Sequence, residues 1–236
     1  MSSILKGKNA IVTGVSKGIG LEITKLLVRN DVKVAGWSRT QPDFEHPNFT
    51  FVKADVGQAA SVSEAYEATV RALGQDIHFL INNAGYGTFG PFEEMSDEDW
   101  QGMFDTNVHG IFYVTKKVVP QMKVLDFGHI INIGSIAGRN PVKHGVGYAA
   151  TKHAVTGISH SLYMELRDFG IKVSCVYPGS VSTNFFDQVD NFQPSPNMMT
   201  PEDIAKSVVD LLDTSGNYLP VDLEVRPLRP KGKPEK

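Results

Sequence analysis

Short runs rich in β-branched and aromatic residues alternate with stretches of helical periodicity along almost the whole chain, and few folds tolerate that order. Asn9–Thr13, Val32–Trp37, Phe49–Lys53, His78–Asn82, Gly128–Ile133 and Ile171–Val176 read as strands, with Tyr218–Val225 as a last one. Helices are expected over Gly18–Arg29, Ala59–Leu73, Asp97–Asp105 and Val108–Lys123, then from Tyr148 to about Asp168 and over Pro201–Leu212. Thr200 before Pro201 supplies an N-cap followed by a proline at the first helical position. Most strands are continuous apolar runs rather than alternating ones, so both faces of the sheet must be covered. The expected fold is an α/β, single-domain, Rossmann-like doubly wound parallel sheet with helices on both faces. No linker or repeat divides residues 1–225.

The first strand runs into Thr13-Gly14-Val15-Ser16-Lys17-Gly18-Ile19-Gly20. Glycines there let the backbone turn tightly and approach a pyrophosphate, which then sits at the N-terminus of the next helix. The same residues spell Gly14-x-Ser16-x-Gly18, the nucleophile elbow of hydrolases. Against that second reading, the elbow would lie on the first strand, with no earlier strand–helix loop to donate to an oxyanion, and Gly20 would have no role. The second strand ends in Trp37-Ser38-Arg39-Thr40, where an acid would hold a ribose 2′-hydroxyl. Arg39 stands there instead and Lys17 lies in the glycine turn, a pattern that favours NADP(H) over NAD(H).

Tyr148 and Lys152 are four residues apart, so both side chains share one face of a helix. A phenol ordinarily ionises near pH ~10, and a fixed ammonium beside it lowers that value, making a tyrosine useful for proton transfer at neutral pH. Ser135 follows the fifth strand, where ligand-facing residues of such sheets gather.

These pieces, in this order, resemble the short-chain dehydrogenases/reductases in their single-domain form, over nearly all of the chain. The resemblance is carried by the glycine turn, Asp55-Val56, Asn82-Asn83-Ala84-Gly85, Asn107, Ser135, Tyr148-Ala149-Ala150-Thr151-Lys152 and Pro178-Gly179. It implies Tyr148 as general acid for carbonyl reduction and base for alcohol oxidation. It implies Lys152 on the nicotinamide ribose and lowering the Tyr148 pKa, Ser135 on the substrate oxygen, and Asn107 anchoring a water in a proton relay. Cofactor contacts are implied for Gly14, Ser16, Lys17, Gly18, Ile19, Gly20, Ser38, Arg39, Asp55, Val56, Asn83, Ala84, Gly85, Tyr148, Lys152, Pro178, Gly179, Val181 and Thr183. Hydride transfer from the 4-pro-S face of NADP(H) is implied, with no metal. Residues 180–200 are expected to form a lid over the substrate, with Phe185, Phe186 and Phe192 as candidate pocket residues.

Two departures qualify the match. Tyr177 precedes Pro178-Gly179 where smaller residues are frequent, which is expected to alter the pocket beside the nicotinamide. The C-terminal Val221-Asp222-Leu223-Glu224-Val225-Arg226-Pro227 lacks the Val-Asp-Gly-Gly ending of 3-oxoacyl-carrier-protein reductases, which leaves small carbonyl compounds, 3-hydroxy acids and sugar-like alcohols open.

Composition sets the remaining bounds. A net charge of -3 over 236 residues gives no pull toward nucleic acid or anionic membrane, and no apolar run approaches the ~20 residues of a transmembrane helix. With Cys175 the single cysteine and no signal-peptide pattern at the N-terminus, a cytoplasmic protein is expected. Val155, Ile158, Leu162 and Leu166 on the Tyr148 helix, and the apolar Val108–Val119 stretch, carry more apolar surface than sheet packing needs, and the family resemblance implies that these helices pair in a homodimer or homotetramer, with monomer core packing as the alternative. Residues 226–236 read as a basic tail. A nucleotide-sensing protein that kept the fold without catalysis is the alternative to an enzyme, and the intact Ser135, Tyr148 and Lys152 speak against it.

Overall fold

The computed structural model describes residues 4–183 and 197–230. Seven strands form one sheet: β1 (Asn9–Thr13), β2 (Lys33–Ser38), β3 (Phe49–Lys53), β4 (Phe79–Asn82), β5 (Gly128–Ile133), β6 (Ile171–Pro178) and β7 (Asp222–Val225). Their order is β3-β2-β1-β4-β5-β6-β7, and every pairing is parallel. The chain steps outward from β1 to β3, then returns to place β4 on the other side of β1. Neighbouring connections therefore leave β1 and β4 in opposite directions, which opens a crevice at the carboxyl ends of the central strands.

The helices are α1 (Gly18–Arg29), α2 (Ala59–Leu73), α3 (Asp97–Phe104), α4 (Gly110–Leu125), α5 (Val146–Leu166) and α6 (Pro201–Leu212). Alternate residues of each strand feed opposite faces. Val12, Ile81 and Ile131 pack with Ile23 and Leu27 of α1 and Ile204 and Val208 of α6. Ile11, Leu80 and Ile130 pack with Val62 of α2, Val114 and Val118 of α4, and Leu166 of α5. All of these are fully buried, each worth roughly 1.5–3 kcal/mol of transfer free energy. On α5, Val155 and Leu166 are consumed by this core, and Ile158 and Leu162 pack against it. Core packing thus accounts for these four apolar residues of α5, whereas Phe112 of α4 stays exposed.

Helix ends follow local chemistry. The Thr200 hydroxyl accepts from Asp203 N at 3.3 Å while the Asp203 carboxylate accepts from Thr200 N at 2.8 Å, a reciprocal cap for α6. β2 starts one residue later than expected, because the Val32 amide bonds back to Leu27 at the end of α1. β7 is shorter than expected, since Tyr218 is drawn into a turn by its bond to Ser215. The expected break between two helices near Asn107 is a π-helical turn, Asp105–His109, that joins α3 to α4.

One sequence expectation is corrected here. Tyr177 does not alter the nicotinamide pocket: it is fully buried on the far side of β6, against Ile111, Val155 and Cys175. Its hydroxyl donates to Asp222 at 3.0 Å, and the Arg139 guanidinium lies 3.9 Å from its ring centre. Arg139 in turn pairs with Asp222 and Glu224. Most of the expected lid, including Phe185, Phe186 and Phe192, and residues 231–236 of the basic tail lie outside the described residues.

Candidate active site

The glycine turn after β1 forms the floor of the crevice. Gly14 and Gly18 have φ of 74° and 63°, a left-handed backbone that costs side-chain-bearing residues strain. A Cβ on Gly14 would stand 2.8 Å from Ala84 Cα, so β1 and β4 could not close together. Gly20 serves the same closure from behind: a Cβ there would collide with the Gly14 carbonyl and the Asn83 amide. Gly20 accordingly does not line the crevice, although the sequence pattern grouped it with the cofactor contacts. Asn83 spends its side chain on the turn, donating to Thr13 O at 2.9 Å and Gly14 O at 3.2 Å. In return the Thr13 hydroxyl accepts from the Asn83 and Ala84 amides.

The first turn of α1 has no side-chain cap and no acidic residue. Its amide donors and positive dipole end are therefore available to an anion, and Gly14, Ser16, Lys17, Gly18 and Ile19 line the crevice beside them. Lys17 and Arg39 are exposed on its rim and form no ion pair among the described residues. Ser38 donates to Thr40 O at 2.7 Å, which sets the turn from which Arg39 projects. Asp55 accepts from Gly57 N at 3.0 Å, holding the loop after β3, where Asp55 and Val56 also line the crevice. Across the opening, Pro178 ends β6 and Gly179, Val181 and Thr183 follow it, and Gly179 is fixed by donating to Val225 O at 2.7 Å. The crevice holds about 980 Å³ and spans both halves of the sheet, dimensions and donors that fit a dinucleotide with phosphate groups on the glycine turn.

Among the described residues, no histidine lines the crevice. Ser16 consequently lacks the base that a hydrolase nucleophile needs, and the elbow reading loses its support.

Ser135, Tyr148 and Lys152 meet at the ends of β5 and α5. Ser135 Oγ accepts from Ala137 N at 3.1 Å, capping the short turn Ile136–Gly138, and is hydrogen-bonded to Tyr148. Lys152 is buried and donates to Ile133 O at 2.8 Å, with Nζ 5.7 Å from the centre of the Tyr148 ring. Burial pushes the Tyr148 phenol up to about 12, and the Ser135 hydrogen bond pulls against it without prevailing. Burial also lowers the Lys152 ammonium to about 8. The expectation that Lys152 would hold the phenol low is therefore corrected for the protein by itself. Desolvation outweighs the ammonium, which is directed at the Ile133 carbonyl rather than at the phenol oxygen. At neutral pH Tyr148 is a phenol able to donate a proton, and Lys152 is a cation beside it.

Asn107 stands one layer behind. Its amide donates to Tyr86 O at 2.8 Å and to Thr151 Oγ1 at 3.0 Å, and its carbonyl accepts from Tyr86 N at 3.0 Å. Thr151 then donates to Tyr148 O at 2.8 Å. The π turn allows Asn107 to reach inward between the loop after β4 and α5, so it positions Tyr148 through backbone contacts and does not line the crevice.

Sequence reading missed a polar network beneath the site. Asn82 donates to Asn132 at 2.8 Å and Thr115 at 3.2 Å, and Asn132 donates to Ser159 at 2.9 Å. It also missed Tyr86, Phe89 and Val142, which line the crevice near Tyr148. The available signal was two adjacent strands each carrying an asparagine in an apolar run, since a buried amide needs a partner.

Residues 8–194 match the family model for short chain dehydrogenase. A 3-alpha-(or 20-beta)-hydroxysteroid dehydrogenase of Mycobacterium tuberculosis (strain ATCC 25618 / H37Rv) is 34% identical, covering 92% of this chain and 87% of its own. Among solved structures, the closed form of serine dehydrogenase complexed with NADP+ superposes with a TM-score of 0.85 at 29% identity, covering 97% of this chain and 98% of that one. A 3-ketoacyl-(acyl-carrier-protein) reductase from Brucella melitensis complexed with NADH gives 0.88 at 26% identity, with 95% and 99% covered. The chain belongs to the short-chain dehydrogenase/reductase family.

Proposed function

We propose that this short-chain dehydrogenase/reductase is an NADP(H)-dependent oxidoreductase that interconverts a carbonyl compound and its alcohol, with Tyr148 as general acid and base. The observation that carries the reading is the meeting of Ser135, Tyr148 and Lys152 at the end of β5, facing the glycine turn across one crevice. The nicotinamide group supplies the hydride. The protein supplies position and the proton.

A carbonyl oxygen between Ser135 and Tyr148 would accept hydrogen bonds from both hydroxyls. As negative charge grows on that oxygen, the Tyr148 proton moves to it, and the resulting phenolate is met by the Ser135 hydrogen bond and the Lys152 charge. Low solvent access strengthens both effects. Asn107 and Thr151 hold α5 in register while this happens. In the reverse direction the phenolate takes the alcohol proton.

The preference for the phosphorylated cofactor rests on Lys17 and Arg39 at the rim and on the absence of an acid from Trp37 to Thr40 at the end of β2. The NADP+ complex of serine dehydrogenase supports it, while the Brucella reductase was solved with NADH. The remaining assignments belong to the same reading. They are a single domain over 1–225, a lid over 180–200, a basic tail from 226, a cytoplasmic protein with its buried Cys175 reduced, and a homodimer or homotetramer. Among the described residues no helix is long and apolar enough to cross a membrane.

The test is NADPH consumption over a broad carbonyl panel by wild type and by Tyr148→Phe. Turnover by wild type that falls at least about 10³-fold in the variant is expected. Tight NADPH binding with no turnover on any carbonyl would favour the non-catalytic sensor instead.

A further inference from the structure

The side of the crevice next to Tyr148 is apolar, and its construction is specific. Phe89, from the loop after β4, lies with its ring centre 5.5 Å from that of Tyr148, and Val142 packs into the same cluster. Gly145 makes this approach possible: a Cβ there would stand 2.8 Å from Val142 Cγ1 and 3.1 Å from Phe89 Cε1. The two loops are clipped together by a hydrogen bond from Gly90 N to His144 O at 2.8 Å. Ile136 and Ala137 continue the wall from Ser135.

Charged side chains are distributed unevenly around the same crevice. Those lining it are Lys17, Arg39, Asp55, Asp105 and Lys152. The first three follow β1, β2 and β3, and Asp105 packs beside Gly57 in the loop after β3. Lys152 is bonded to Ile133 O. Of the cations between Ser135 and Tyr148, Arg139 is held by Asp222 and Glu224, while Lys143 and His144 do not line the crevice. A carboxylate or phosphate placed against Phe89 and Val142 would lose its hydration and meet no cation in exchange among the described residues.

Resting on the dehydrogenase reading above, we propose that the substrate is an uncharged ketone, aldehyde or secondary alcohol. Its carbonyl carbon carries an aromatic or branched apolar group against Phe89 and Val142, and carboxylate- and phosphate-bearing analogues are excluded. Phe89 and Val142 determine this specificity, and Gly145 keeps them in place.

Initial rates of NADPH oxidation on matched pairs test the assignment: acetophenone against benzoylformate, and methyl 3-methyl-2-oxobutanoate against 3-methyl-2-oxobutanoate. The neutral member of each pair is expected to have a kcat/KM at least about 100-fold higher. Phe89→Ala and Val142→Ala are expected to lower kcat/KM for acetophenone about 10-fold, mainly through KM. Phe89→Leu, which keeps the cluster filled, gives a smaller loss, and Arg139→Ala leaves the discrimination unchanged. Equal or faster turnover of the acids overturns the proposal. Saturation-transfer NMR of the same compounds, on protein with NADP+ added, reads the pocket apart from turnover. Saturation of the acetophenone ring that weakens in Phe89→Ala, without any turnover, would uphold the pocket and overturn the carbonyl-reductase reading. No saturation of either ketone, or equal saturation of the acids, would overturn the pocket.

Discussion

Lys152 donates to the main-chain carbonyl of Ile133 at 2.8 Å, and this bond fixes where the buried ammonium of the site stands. Ile133 ends β5 and Lys152 lies on the second turn of α5, so strand and helix together aim one cation past the Tyr148 ring. The position leaves the charge close enough to favour a phenolate once one forms, yet too weak to create one against burial.

The pH dependence of turnover follows. With Tyr148 near 12, the phenol stays protonated throughout the working range and contributes no limb to carbonyl reduction. Lys152, lowered to about 8, loses its charge as pH rises past that value. The kcat/KM for reduction is expected to be flat on the acid side and to fall about tenfold per unit above about pH 8. Lys152→Arg, which keeps its charge, is expected to remove that fall while retaining measurable activity. A profile in which both proteins fall together would assign the limb to another group.

The same burial has a cost in stability. The folded value of about 8 lies below the ordinary 10.5. Between these two values the unfolded chain binds more protons than the folded one, so stability rises with pH across this window. Below about 8 the penalty is fully present. Lys152→Met removes it and leaves the Ile133 carbonyl unpaired, a loss of about 1 kcal/mol. The variant is expected to be more stable than wild type by roughly 1–3 kcal/mol at pH 7, with the difference shrinking by pH 10, and to have lost turnover. Urea unfolding at the two pH values measures this. Destabilisation at pH 7 would mean that the hydrogen bond outweighs the buried charge.

Cofactor choice can be separated from catalysis at the rim. In Lys17→Ala/Arg39→Ala the affinity for NADPH is expected to drop at least about 30-fold and that for NADH by less than about threefold, because the removed charges would face only the extra phosphate. Fluorescence titration with both dinucleotides gives the ratio. Equal losses would show that the two side chains serve the shared part of the cofactor.

Beneath the site, Asn82→Ala leaves the Asn132 carbonyl oxygen buried without its 2.8 Å donor and opens a gap beside Thr115. A loss of about 2–4 kcal/mol in urea unfolding is expected, with little change in KM, because Asn82 does not touch the crevice. An isosteric Asn82→Asp change also removes the donor and is expected to cost at least as much.

Much of the fold was legible because period and chemistry are local. Continuous apolar runs specify strands covered on both faces, and Thr200-Pro201 with Asp203 specifies the start of α6 from contacts within one turn. The glycine turn was legible for the same reason, since Gly14 and Gly18 answer to their own backbone angles. Gly20 does not line the crevice: a side chain there would meet the Gly14 carbonyl nearby in the chain and also the Asn83 amide, which comes from more than sixty residues away.

Sequence by itself determined the element order, the parallel sheet and the helical face shared by Tyr148 and Lys152. Periodicity and spacing are properties of a chain read along its length. Only the tertiary structure decided how those groups behave. It buried the phenol and raised its pKa against expectation, tied Lys152 to Ile133, turned Tyr177 away toward Asp222 and brought Phe89 onto Tyr148. Desolvation and packing depend on what surrounds an atom in space, and those neighbours come from segments that the sequence keeps far apart.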